Sequence, residues 1–266
     1  MAHAGFMGIG AYTSAILSVN LSLNFWIALP FSMIVAGFFG FIIGFPSLRT
    51  KGVYFSLTTL GFGEILHIIF ENWIPVTGGP MGITGINAPS AISFFGKYSI
   101  SFQSKIGFYY LCLFFLMLTI YFTNRLFKSK LGFAMRAVRE NEDLTKSVGI
   151  SIIKTKITAF VLASMLLGLT GSLFAHYFRF ISPITFTISE TFRALAMLVV
   201  GGMGTLTGPL IGAVLFTVLP EILRSVEQLQ WLVYGIIIII FIAYMPEGIV
   251  GFINNKFAQK ETKASK

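Results

Sequence analysis

RLFKSKLGFAMRAVRENEDLTKSVGISIIKTK, Arg125–Lys156, is the longest polar run in the chain. The sequence on both sides of it is apolar enough to sit in lipid. Eight of the 19 Lys and Arg residues fall within it, together with the acids Glu140, Glu142 and Asp143. One reading is a solvated loop that joins two membrane helices and fixes their orientation. The other is a docking surface for a soluble partner on the cytoplasmic side. The length favours docking, because a simple connection between helices can be much shorter.

Composition agrees with membrane blocks around this run. The 266 residues are 55% hydrophobic and only 11% charged, with a mean hydropathy of +0.83. A soluble domain carries about 25% charged residues. A polytopic membrane protein is therefore expected. The net charge of +9 lies between apolar segments and at the C-terminus. That pattern fits loops held on the cytoplasmic side and argues against nucleic acid as a partner. The single cysteine, Cys112, excludes an intrachain disulfide and a Cys-based metal cluster. No charged run precedes the first apolar stretch, so a signal peptide is not expected.

The spans follow in order. Gly5–Val19 is apolar and short for a full crossing, and its Gly5, Gly8 and Gly10 allow close helix contact or a bend. Phe25–Phe45 is a clear span with Pro30 near its start and Pro46 just past its end; Arg49 and Lys51 then mark the cytoplasmic face. Val53–Ile74 carries Glu64 and His67. An ionisable residue in a membrane helix suggests function. The alternatives are mutual satisfaction of this i, i+3 pair, or a position near the outer interface. Pro75–Lys105 is dense in Gly and Pro, reads as turns, and lies outside. Gly107–Thr123 is the fourth span. Ile157–Tyr177 is the fifth, with Gly168 and Gly171 at small-residue spacing.

Thr187–Leu223 is apolar but interrupted by GGMGTLTGP, with flanks of only about a dozen residues. Short, Gly/Pro-broken membrane segments point to a transport site, since their freed backbone must be buried in protein or face water. The alternative is a tight hairpin turn at the inner surface. Leu229–Met245 is the last span, followed by Lys256, Lys260, Lys263 and Lys266. Counting the broken region as two passes gives about eight transmembrane or half-membrane helices in an all-α fold. Both ends then lie in the cytoplasm, and so do all the basic loops. Residues 1–255 read as one transmembrane domain with a cytoplasmic loop at 125–156, and 256–266 as a basic cytoplasmic tail.

The sequence has no phosphate-binding Gly-x-x-x-x-Gly-Lys-Ser/Thr loop, so ATP hydrolysis by this chain is not expected. Zinc-protease and serine-hydrolase motifs are missing too, and no metal, cofactor or catalytic residue is expected. Within the polar run, Leu131, Met135 and Val138 recur at helical spacing, widened by Ala134, Ala137 and Leu144. Arg136 with Glu140, and Arg139 with Asp143, stand four apart as candidate pairs. Gly149 ends the pattern as a C-cap would. A short amphipathic helix of this kind could insert its apolar face into a partner's groove or lie on the membrane surface.

LGFAMRAVRENEDLTKSVGI, KTKITAFVLASMLLGLTGSLFAHYF and GGMGTLTGPLIGA together resemble LivM-type permeases, the membrane subunits of branched-chain amino acid ABC importers. HAGFMGIGAYT, LRTKGVYFSLTTLGFGEI and TGGPMGITGI match as well, so the resemblance covers nearly the whole chain. It implies a LivH-like second permease, two ABC ATPase subunits below and an extracytoplasmic substrate-binding protein, all at the plasma membrane. It also implies that the 125–156 loop holds the ATPase-contacting helix, with Arg136, Arg139, Glu140, Glu142 and Gly149 as coupling candidates. Leu144 and Thr145 stand where such loops usually have small alanines. Family members also usually carry one or two membrane segments before HAGF, which makes a late start or a fragment the expectation here.

The candidate translocation path comprises Thr58, Thr59, Gly61 and Glu64 on one side and Gly201, Gly202, Gly204, Thr205, Gly208 and Pro209 on the other. A permease for urea or short amides in the same family, and an ATP-independent secondary transporter using Glu64 and His67 as a relay, are the alternatives.

Overall fold

Small residues set how closely the first helices approach one another in the computed structural model, which describes residues 1–48, 50, 52–94, 98–222, 235, 248, 249 and 251. Helix α1 (His3–Asn20) is continuous through Gly5, Gly8 and Gly10, and its Ala11 and Ala15 are fully buried. Helix α2 (Phe25–Ser47) contains both Pro30 and Pro46. Pro46 therefore lies inside the last turn rather than past the end. Helix α3 (Val53–Asn72) is followed by the short α4 (Ile74–Thr77) and a 3-10 turn, Gly79–Met81. Strand β1 (Ile83–Thr84) and the hairpin of β2 (Ile92–Phe94) with β3 (Tyr98–Ile100) come next.

Helix α5 (Lys105–Phe127) runs four residues beyond the expected span and so takes the first residues of the polar run. Two helices fill most of that run, α6 (Lys130–Glu140) and α7 (Glu142–Ser147). Helix α8 (Ile152–Phe178) leads into β4 (Phe180–Ile181) and a 3-10 turn at Pro183–Thr185. Helices α9 (Ile188–Gly201) and α10 (Gly208–Ile222) complete the described elements. Among the described residues five stretches are long and apolar enough to cross a membrane: Phe25–Ser47, Val53–Asn72, Lys105–Phe127, Ile152–Phe178 and Pro183–Gly201. The molecule is a polytopic helical membrane protein. The expected last span, Leu229–Met245, apart from Gly235, the Lys-rich tail and the markers Arg49 and Lys51 lie outside the described residues.

The described chain forms two compact units, residues 1–190 and 191–266. In the first, α1, α2 and α8 make the centre. Gly10 of α1 meets Gly168 of α8 so closely that a Cβ there would lie 2.3 Å from the Gly168 carbonyl oxygen. Gly171 faces Met7 and Ala11, and Gly168 also abuts Ser32 and Ala36 of α2. The small-residue spacing thus brings three helices into backbone contact, which suits packing where lipid gives little hydrophobic drive.

The same contacts give direction. Gly10 with Gly168 and Ser14 with His176 make α1 and α8 parallel. Gly37 against Met165 and Gly44 against Phe160 make α2 and α8 antiparallel. Gly5 near Gly63, and Gly8 near Phe70, make α1 and α3 parallel. One end of the unit therefore carries residues 73–94, 98–104 and 179–186, tied together by the antiparallel β1–β4 pair. Gly82 takes a positive φ of 70° beside the Ile181 carbonyl, a close approach that only glycine allows. Leu48, Thr50 and Gly52 lie at the other end with the start of α8, across a cavity of about 390 Å³ also lined by Phe55, Lys156 and Phe160.

In the second unit, α9 and α10 form a hairpin. Val200 is fully buried and packs with Ala196 and Phe216. Gly212 of α10 meets the Met197 backbone.

Candidate functional site

The polar run folds as two capped helices instead of one. Ser129 starts α6, its Oγ accepting from Gly132 N at 3.3 Å. At Asn141 the backbone becomes extended (φ −157°, ψ 113°). Its Oδ1 accepts from the N–H groups of Asp143 and Leu144, both at 3.0 Å, and so caps α7. Gly149 has φ 82°. Gly149 N donates to Lys146 O and Ile150 N to Thr145 O, a Schellman ending. Gly149 is the expected C-cap, but of α7.

The Asn141 break corrects two expectations. Leu144 does not join the Leu131–Met135–Val138 face; it stands 66% exposed on α7. That face turns inward, with Val138 and Gly132 buried, because an apolar helix stripe covers its own bundle first. Phe133, Leu144 and Val148 are instead the apolar side chains presented outward.

The expected i, i+4 pairs do not form either. Arg136 Nη2 donates to Phe127 O at 3.0 Å, and its guanidinium lies 4.6 Å from the Phe133 ring centre. Arg139 meets its neighbour Glu140 at 3.3 Å in an exposed pair, a kind worth little. Glu142 pairs with Lys156 at 2.5 Å, joining α7 to α8. That partner lies fourteen residues away, beyond the reach of a within-helix rule.

The four candidates on α3 spread round more than half of the helix circumference, at about 100° per residue. Thr59 is fully buried, its hydroxyl donating to Phe55 O and Ser56 O at 3.0 Å. Thr58 donates to Tyr54 O at 2.7 Å. Gly61 is exposed and Glu64 half-buried. Glu64 and His67 do not satisfy each other: among the described residues Glu64 has no hydrogen bond or ion pair, and the buried Nδ1 of His67 has no partner.

The six candidates in the second unit lie together at the hairpin. Gly202 and Gly204 have φ of 123° and 87°. Thr205 Oγ1 donates to Gly202 O at 3.1 Å and accepts from Gly208 N at 3.0 Å. Gly201 is buried where a Cβ would strike Gly208 O. Pro209 sits in the first turn of α10, where no N–H partner is required.

A buried polar chain inside the first unit is an arrangement that sequence reading missed. Ser172 and Ser14 hydroxyls are 2.8 Å apart, Ser14 Oγ is 3.0 Å from His176 Nε2, and His176 Nδ1 is 2.6 Å from Asn87 O. A carbonyl only accepts, so Nδ1 carries a proton and donates. In the neutral imidazole Nε2 then accepts from Ser14. His176 is 1% exposed, its ring centre 4.9 Å from that of Phe25 in a near-perpendicular arrangement. Ser172 and His176 stand one helical turn apart on α8, but Ser14 and the Asn87 carbonyl are distant in sequence, so helical spacing alone does not find the chain.

The chain's residues 1–245 match the family described as the branched-chain amino acid transport system permease component. It is 36% identical to the high-affinity branched-chain amino acid transport system permease protein LivM of Salmonella typhimurium, over 94% of this chain and 63% of that protein. LivM of Escherichia coli is 35% identical over the same shares. The chain thus spans less than two thirds of the length of these relatives. LivH of Salmonella typhimurium is 23% identical over 94% of this chain and 84% of its own length. No solved structure matches the chain.

Proposed function

The chain belongs to the family of branched-chain amino acid transport permease components, and on that premise we propose that it is a membrane subunit of an ABC importer that carries branched-chain amino acids inward. Residues 1–255 act as one permease domain. A LivH-like permease completes the path, two ABC ATPases drive it from the cytoplasm, and an extracytoplasmic binding protein delivers substrate. The chain itself supplies no ATPase step.

The observation that carries this reading is the arrangement of charge. Leu48, Thr50 and Gly52 share one end of the first unit with Lys156, the last residue of the 125–156 run. In sequence that end holds Arg49, Lys51 and eight further basic residues, against Lys97, Lys105 and Arg179 at the other end. By the positive-inside rule the basic end is cytoplasmic, as are the termini and the 256–266 tail. Helices α6 and α7 then face the ATPases, with Arg136, Arg139, Glu140, Glu142 and Gly149 as the coupling set. Phe133 and Leu144 add apolar anchors suited to a partner's groove. Thr58, Thr59, Gly61 and Glu64, with Gly201, Gly202, Gly204, Thr205, Gly208 and Pro209, form the path elements. ATP and substrate bias its two states differently.

The test is co-purification of the detergent-extracted chain with ATPase subunits, paired with leucine uptake in cells lacking them. Co-purification and loss of uptake support the reading. Uptake that persists without those subunits overturns it in favour of an ATP-independent transporter.

A further inference from the structure

Helix α3 carries two ionisable side chains within a membrane-crossing segment that no described residue satisfies. Glu64 and His67 are the twelfth and fifteenth of its 20 residues. Three residues apart, they are neighbours on one side of the helix. Thr59, Leu66 and Phe70 form the buried stripe of the helix, and His67 lies about 80° and Glu64 about 140° round from its centre. Among the described residues Glu64 bonds to nothing, and His67 Nδ1 is shut from solvent without a partner. A carboxylate in the bilayer interior is costly unless it faces water, a protein partner or a ligand. A buried orphan nitrogen carries its own desolvation penalty. Two such costs side by side mark a place where something else binds.

We propose that Glu64 and His67 hold the charged head of an α-amino acid in transit. The Glu64 carboxylate receives the ammonium group, and an imidazole N–H of His67 donates to the carboxylate. Side chains three apart have Cβ atoms about 5–6 Å from each other, and each reaches its partner through a hydrogen bond of about 3 Å. That span suits one compact zwitterion. This assignment rests on the amino acid importer reading and narrows it, since a neutral amide offers no carboxylate and no ammonium. The apolar side chain of the substrate is left to other surfaces.

The test uses the full importer reconstituted with its ATPases and binding protein, in a Cys112→Ser background. Gly61→Cys, exposed one turn before Glu64 and leaving both proposed contacts in place, is labelled with a small methanethiosulfonate. Leucine, leucinamide (no carboxylate) and 4-methylpentanoate (no ammonium) are compared as protectants. Leucine is expected to slow labelling about tenfold, and the other two compounds far less. A thiol that never reacts, or equal protection by all three compounds, overturns the assignment. His67→Asn, which keeps an N–H, should lower leucine uptake less than His67→Leu does; equal loss in both would also overturn it. If the unmodified complex moves no leucine at all, the importer reading itself has failed.

Discussion

His176 on α8 reaches across 89 residues of sequence to the backbone of Asn87, its Nδ1 standing 2.6 Å from the Asn87 carbonyl oxygen. Its other nitrogen meets Ser14 of α1 at 3.0 Å. One buried ring thus ties two core helices to the segment between β1 and β2. Trp26 Nε1 makes a second tie, donating to Ser90 O at 3.2 Å. The Gly-rich segment after α3 is therefore pinned to the bundle rather than free, although its composition reads as turns.

Replacing that ring should loosen the tie. His176→Phe keeps the aromatic volume but leaves Ser14 and the Asn87 carbonyl without this partner. The expected loss is about 2 kcal/mol, read by unfolding in detergent. Ser172→Ala, at the end of the chain of bonds, should cost about half as much. Stability unchanged in both variants would mean that the network holds nothing.

Two glycines of different surroundings give a paired test of packing. A Cβ at Gly171 would strike the Met7 carbonyl oxygen, whereas one at Gly61 meets no atom within 4 Å. Gly171→Ala should cost about 2 kcal/mol or more and lower the yield of monodisperse protein. Gly61→Ala should be neutral or stabilise by up to about 1 kcal/mol. Equal yields would contradict the close approach of α1 and α8.

The outward side chains of α6 and α7 separate coupling from folding. Arg139 and Leu144 are exposed, so Arg139→Glu and Leu144→Asp should insert and fold normally. Each should cut leucine uptake about tenfold, as loss of an interface anchor does, while ATP hydrolysis continues in reconstituted vesicles. Unchanged coupling in both would move the ATPase contact away from this segment.

Gly204 holds a φ of 87° in the turn between α9 and α10. Leucine there costs about 1–2 kcal/mol of backbone strain, and Gly204→Leu should impair uptake. Met203 is exposed beside it, and Met203→Leu should leave uptake intact. Full activity in Gly204→Leu would place the path elsewhere.

Much of the fold was legible because it depends on local rules. Long apolar stretches give spans, and Gly202 to Gly208 break one of them wherever the chain lies. Gly149 ends a helix through its own backbone geometry. The Glu142–Lys156 pair was not legible, since a partner fourteen residues away on another helix follows no helical spacing. The same holds for α3, where Thr59 is consumed by packing and Glu64 finds no partner among the described residues, a difference that no reading of the helix alone could assign.

The amino-acid sequence alone determined that this is a multi-spanning helical membrane protein with one long basic segment and one broken hairpin, because hydropathy and turn chemistry act over a few residues. Only the tertiary structure decided which face of α6 is buried, which polar groups find partners, and that His176 closes a chain from Ser172 to Asn87. Those outcomes depend on which helices meet, and helices meet according to three-dimensional shape rather than distance along the chain.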